Sequence, residues 1–135
     1  MRVISSILVL GLGVAVVPGA GAESVIDERL SAYRQQGGAD FSAARGRAMW
    51  TEVRGERRPG QAQSCADCHG SDITRAGKHV RTGKPIEPLA PSVNPVRLSD
   101  TASIEKWLLR NCKGTWGREC SAQEKGDLLL FIRQQ

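Results

Sequence analysis

Aromatic side chains are scarce, with two Phe, one Tyr and three Trp in 135 residues. That leaves little material for a self-sufficient core in a chain of this size and points to a large planar group as part of the interior. Internal repeats and low-complexity stretches are absent as well, which excludes solenoids and arrays. Long apolar runs are also missing: the stretch from Val3 to Val17, after Arg2, is too short to cross ~30 Å of hydrocarbon comfortably. Followed by Pro18-Gly19-Ala20-Gly21-Ala22, it reads as a secretory signal peptide of residues 1–22. Cleavage after Ala22 would leave one domain, residues 23–135, in the periplasm. The formal charge is only +5, and Arg54, Arg57 and Arg58 form the single local basic cluster. So mild an excess in an exported protein argues against nucleic acid as a partner. The cluster itself reads as a solvated loop, or as the source of an arginine for an anionic group.

Helical spacing is present at both ends of the mature chain. Ile26, Leu30 and Tyr33 mark one face of a helix from Glu23 to Gln36, which Gly37-Gly38 ends. Asp40 or Ser42 can cap a second helix through Ala43, Ala44, Ala48, Met49 and Trp50. Gly46 in its middle costs roughly 1 kcal/mol relative to Ala, so its use would be to let another helix approach closely. Ser99-Asp100 can start a third helix with Ile104, Trp107 and Leu108 on its apolar face. Ser121 and Glu124 form a capping-box pattern ahead of Leu128, Leu129, Phe131 and Ile132. Residues 54–64 read as a loop, and Gly70 to Ser99, with Pro85, Pro88, Pro91 and Pro95, as a long irregular segment that must wrap something. The fold class is therefore all-α.

Cys65-Ala66-Asp67-Cys68-His69 lies between these halves. Its spacing lets two thiols on one helical turn form thioethers with the vinyl groups of a haem while the adjacent imidazole of His69 reaches the iron. Zinc held by Cys65, Cys68, Cys112 and Cys120 is one alternative, but zinc pairs usually have about two to four intervening residues and the second pair is wider. A thioredoxin-like redox pair needs a strand–helix alternation that the chain lacks. In an oxidising compartment free thiols do not persist, so two of the four cysteines can take haem and two can pair.

The partner opposite His69 is harder to read. Small c-type carriers commonly use a methionine C-terminal to the motif, and here the only methionines are Met1 and Met49, both before it. Met49 reads as core. His79, Lys78, Asn94, Asn111 or an empty position remain. Turn chemistry explains Asn94 before Pro95, and Lys78 would have to lose a proton. Asn111 extends the face of Ile104, Trp107 and Leu108 by one helical step, which aims its amide inward, although Asn also terminates helices. A disulfide from Cys112 to Cys120 would restrain it.

Four segments together resemble the sphaeroides haem protein family, small periplasmic class I cytochromes c. They are Ser64-Cys65-Ala66-Asp67-Cys68-His69, Pro88-Leu89-Ala90-Pro91-Ser92-Val93-Asn94-Pro95, Glu105-Lys106-Trp107, and Arg110-Asn111-Cys112 with Gly117-Arg118-Glu119-Cys120. The resemblance implies a cytochrome c fold wrapped round one covalent haem c on Cys65, Cys68 and His69. It also implies Asn111 as distal iron ligand and a Cys112–Cys120 disulfide beside the haem. Function then follows as periplasmic electron transfer, with a dihaem cytochrome c and a membrane cytochrome b as partners and small diatomic ligands bound when the haem is reduced. The alternatives are an enzyme reducing oxygen, peroxide or nitric oxide, and a gas sensor or carrier. Nothing in the sequence supplies an obvious distal acid or base, which favours the non-enzymatic reading.

Overall fold

The computed structural model describes residues 20–54 and 59–135, with side chains from Val25 onward. The apolar run of the signal peptide, as well as Arg57 and Arg58 of the basic cluster, lie outside the described residues. Five helices follow in chain order: α1 Ala20–Gln35, α2 Ala43–Thr51, α3 Ala66–His69, α4 Thr101–Trp116 and α5 Ala122–Arg133. Between α3 and α4 lies an antiparallel ladder of β1 Gly77–Lys78 and β2 Pro85–Ile86, with Gly77 opposite Ile86 and Lys78 opposite Pro85. No described helix is long and apolar enough to cross a membrane.

Helix α1 buries Ile26, Leu30 and Tyr33 against Ile104 of α4 and Leu129 of α5, the face that its spacing predicts. It ends where Gly37 takes a left-handed φ of 95°. The Tyr33 hydroxyl donates to Glu105 Oε1 at 2.6 Å, and Lys125 Nζ reaches Glu105 Oε2 at 3.1 Å, so one carboxylate joins α1, α4 and α5. Ser42 caps α2 by accepting from the Arg45 N–H. α2 then crosses α5 so closely that a Cβ at Gly46 would collide with the Asp127 carbonyl and with Phe131 Cβ. The buried Asp127 carboxylate locks that crossing by accepting from Ser42 N and Arg45 Nε at 2.7 and 2.8 Å. The capping box of Ser121 and Glu124 opens α5, whose Leu128, Leu129, Phe131 and Ile132 are all buried.

Two expectations change in the middle of the chain. The segment from Gly70 to Ser99 is not wholly irregular, because residues 77–86 pair as a short hairpin. Its remainder is pinned to the core by Ile73, whose carbonyl accepts from the N–H groups of Leu89 and Ala90 at 3.0 Å each. On α4, capped by Asp100, Ile104 is buried as predicted, but Trp107 is 48% exposed and Leu108 only half-buried. The reason is geometric: this stripe leaves the packed core after its first turn and continues along the wall of a cavity.

Candidate haem site

The cysteine motif is shaped by its own side chains. Asp67 Oδ2 accepts the backbone N–H groups of Gln63 and Ser64 at 2.8 and 3.0 Å, while Ser64 Oγ accepts from the Asp67 N–H at 3.2 Å. This reciprocal Ser-x-x-Asp arrangement satisfies donors that a four-residue helix otherwise leaves free. The turn stops at Gly70, whose φ of 77° favours glycine and whose N–H bonds the Ala66 carbonyl at 2.8 Å. Strand β1 then packs against it, and a Cβ at Gly77 would collide with the Cys68 carbonyl.

Trp50 of α2 clamps the end of the motif. Its indole N–H donates to the Gly70 carbonyl at 2.8 Å, and its ring lies 5.5 Å from the His69 ring and 5.6 Å from that of Phe131. Burial, aided by the nearby positive charge of Arg97, holds the His69 pKa below its ordinary value, so the imidazole is neutral and keeps a lone pair for a metal. Burial pushes the Cys65 thiol up to about 12, the opposite of an activated redox cysteine. Both Cys65 and Cys68 are free thiols.

These three residues line a cavity of about 960 Å³, at the upper end of the ~300–1,000 Å³ usual for ligand pockets. Asn111, at the opposite end of the sequence pattern, lines the same cavity. It is not a helix terminator, because α4 runs on to Trp116 and is closed by Gly117 at φ 71°. Nor is its amide buried in the protein core: Asn111 is exposed to the cavity, and its carboxamide makes no hydrogen bond to another described residue. The next residue, Cys112, is disulfide-bonded to Cys120, with their Cα atoms 5.7 Å apart. That bond removes the four-cysteine zinc alternative, and no group of three metal-ligating side chains occurs among the described residues.

The other ligand candidates separate clearly. Met49 packs against the core cluster and is absent from the cavity wall, as is Lys78. Asn94 donates its side-chain N–H to the Pro88 carbonyl at 3.0 Å and holds a turn. His79 does line the cavity, but its Nδ1 accepts the Thr82 N–H at 3.2 Å. The neutral ring therefore carries its proton on Nε2 and has no free lone pair to offer iron. Arg54, partly exposed, pairs with Glu52 at 3.0 Å and Glu124 at 3.3 Å and stacks 4.2 Å over Trp116.

Comparison with known proteins gives a relative that matches most of the chain. The chain is 42% identical over 118 residues to cytochrome c-type protein SHP of Cereibacter sphaeroides, covering 87% of this chain and 90% of that protein. The chain belongs to the sphaeroides haem protein family. Over residues 36–132 it also belongs to the family described as domain of unknown function (DUF1924). The structure of oxidised SHP, an oxygen-binding cytochrome c, superposes with a TM-score of 0.75 at 44% identity, over 82% of this chain and 96% of that one. Cytochrome c'' of Methylophilus methylotrophus is 36% identical over 73 residues, spanning 54% of this chain and 51% of that protein. Its oxidised crystal structure gives a TM-score of 0.67 at 27% identity, over 85% of this chain and 94% of that one. The all-α cytochrome c fold expected from the sequence is thus the fold observed, with the short hairpin as an addition.

Membership of the sphaeroides haem protein family implies a covalently bound haem c, and the residues present fit it. Two free thiols one turn apart, an imidazole held neutral beside them and a wide cavity are the donor set that such a group needs. Arg81, Lys84, Arg97 and Arg110 line the cavity wall and are the cations that could pair with its carboxylates. Sequence reasoning missed two contributors. Trp50 is placed by the sequence only on a helix, since a contact between α2 and the motif leaves no local trace. The Ser64-x-x-Asp67 pattern was visible and could have been recognised as a cap.

Proposed function

We propose that this chain is a periplasmic monohaem cytochrome c that transfers electrons and, when reduced, binds small diatomic ligands such as oxygen or nitric oxide. In this reading residues 1–22 are removed on export and residues 23–135 form a single cytochrome domain. Cys65 and Cys68 would carry the haem through thioether bonds, with His69 on one face of the iron and Asn111 on the other. When bound, the haem supplies one-electron exchange and an iron able to take a small ligand.

The observation that carries the reading is Asn111, which shares the cavity of His69 while its carboxamide has no hydrogen-bond partner among the described residues. A neutral carboxamide is a weak donor, weaker still once reduction removes positive charge, so Asn111 can give up its place. The backbone of α4, continued to Trp116 and tied by the Cys112–Cys120 bond, keeps the side chain close enough to return. The description of the Cereibacter relative as an oxygen-binding cytochrome c supports the same direction. A dihaem cytochrome c and a membrane cytochrome b would supply the electrons.

Asn111→Ala tests the assignment. Covalent haem should remain, and low-temperature electron paramagnetic resonance of the oxidised protein should change its spin state. An unchanged spectrum overturns Asn111 as the ligand.

A further inference from the structure

The hairpin between β1 and β2 turns on His79. Its N–H donates to the Lys84 carbonyl at 2.9 Å, and its own carbonyl accepts from Gly83 N at 2.8 Å, which closes the loop. The ring is held as firmly as the backbone: Nδ1 receives the Thr82 N–H at 3.2 Å and lies 3.1 Å from Thr82 Oγ1. A backbone amide can only donate, so Nδ1 is the acceptor and Nε2 carries the proton. That Nε2–H has no hydrogen-bond partner among the described residues, and His79 lines the cavity of Cys65, Cys68 and His69. The loop cannot drift from the motif, because β1 starts at Gly77, in contact with the Cys68 carbonyl.

We propose that His79 donates its Nε2–H to a carboxylate of the haem and thereby sets the pH range over which the reduction potential changes. The inference rests on a haem occupying this cavity. The charged residues that line the cavity with His79 are Arg81 and Lys84 in the loop, Arg97, Asp100 and Arg110, and Lys78 precedes it on β1. Asp100 is the one carboxylate among them, and it is committed to the Ser103 N–H at 2.7 Å as the cap of α4. The surroundings therefore favour an anionic guest, for which His79 is a directed neutral donor.

The test uses the full, matured haem protein and follows midpoint potential against pH between about pH 5 and 9. In the wild type the potential should fall as pH rises through the ionisation of the carboxylate, since the oxidised iron favours the anion. His79→Leu removes a donor to that anion, so the window should move up by about one pH unit. His79→Gln keeps a side-chain N–H and should hold the window near its original place. Nitrogen NMR of the wild type should show a ring protonated at Nε2. Coincident curves for wild type and His79→Leu, or a ring protonated at Nδ1, overturn the proposal. So does a bis-imidazole resonance signal that His79→Leu abolishes, because the residue would then be an axial ligand. Should His79→Leu fail to mature, a displaced window in His79→Gln together with an Nδ1-protonated wild-type ring overturns it, and the opposite pair supports it. Absence of thioether-bound haem from the wild type would instead overturn the functional reading on which this one stands.

Discussion

Trp50 acts on His69 through two different contacts, a ring face and a hydrogen bond to the carbonyl that follows the imidazole. The carbonyl of Gly70 has no ladder to join, so the indole N–H is what keeps the chain turning away after the motif. Trp50→Phe should retain most of the apolar contact and lose that bond, at a cost of about 1 kcal/mol. Urea denaturation of the haem protein measures it, and an unshifted midpoint would show that Gly70 finds another donor. At this scale the sequence was legible wherever chemistry forces residues to be neighbours. That Cys65, Cys68 and His69 share one cavity wall could be read because their spacing keeps all three within a single turn. Asn111 could be read because helical spacing carries direction along α4, although its surroundings were misjudged: the amide meets the cavity, not the packed core. Trp50 and His79 depend on contacts made only after folding, and single positions do not encode those.

Glu124 shows the same logic between elements. Its carboxylate pairs with Arg118 at 2.6 Å, accepts from Ser121 N at 2.8 Å and meets Arg54 at 3.3 Å. It thereby joins the start of α5 to the loop after α2 and the turn after α4. The Arg118 hydrogen bond above all lowers its pKa from 4.5 to about 2. A carboxylate with a depressed folded-state pKa contributes stability above its unfolded value and loses it as pH falls towards the folded one. Glu124→Gln should therefore melt below the wild type at neutral pH, with the gap closing between about pH 4.5 and 2. A gap that is constant with pH would mean that packing, not charge, is involved. Helix ends were legible because caps are local: Ser42, Asp100, Ser121 and Gly37 all act where the sequence implied. The β1–β2 hairpin was not, since two-residue strands are too short to show alternation.

Across the whole molecule, the apolar interior formed by the described residues divides in two. One cluster, with Trp50, Ile73, Ala90, Leu128 and Phe131, surrounds the cysteine motif, while the other is built on Ile26, Leu30 and Tyr33 of α1. No described residue of α1 reaches the cavity wall. A Cys65→Ala/Cys68→Ala chain, unable to hold haem covalently, should thus keep amide-exchange protection in α1 while residues 70–99 exchange rapidly. Uniform loss of protection would show that the cofactor organises both clusters. The Cys112–Cys120 bond adds a requirement that concerns biosynthesis. On the proposed function one chain must reach its mature form with one cysteine pair oxidised and the other delivered reduced for attachment, so its assembly would depend on chemical sorting of like groups. Cys112 and Cys120 are buried while Cys65 and Cys68 are half-buried, a difference in exposure by which a maturation apparatus could tell the pairs apart.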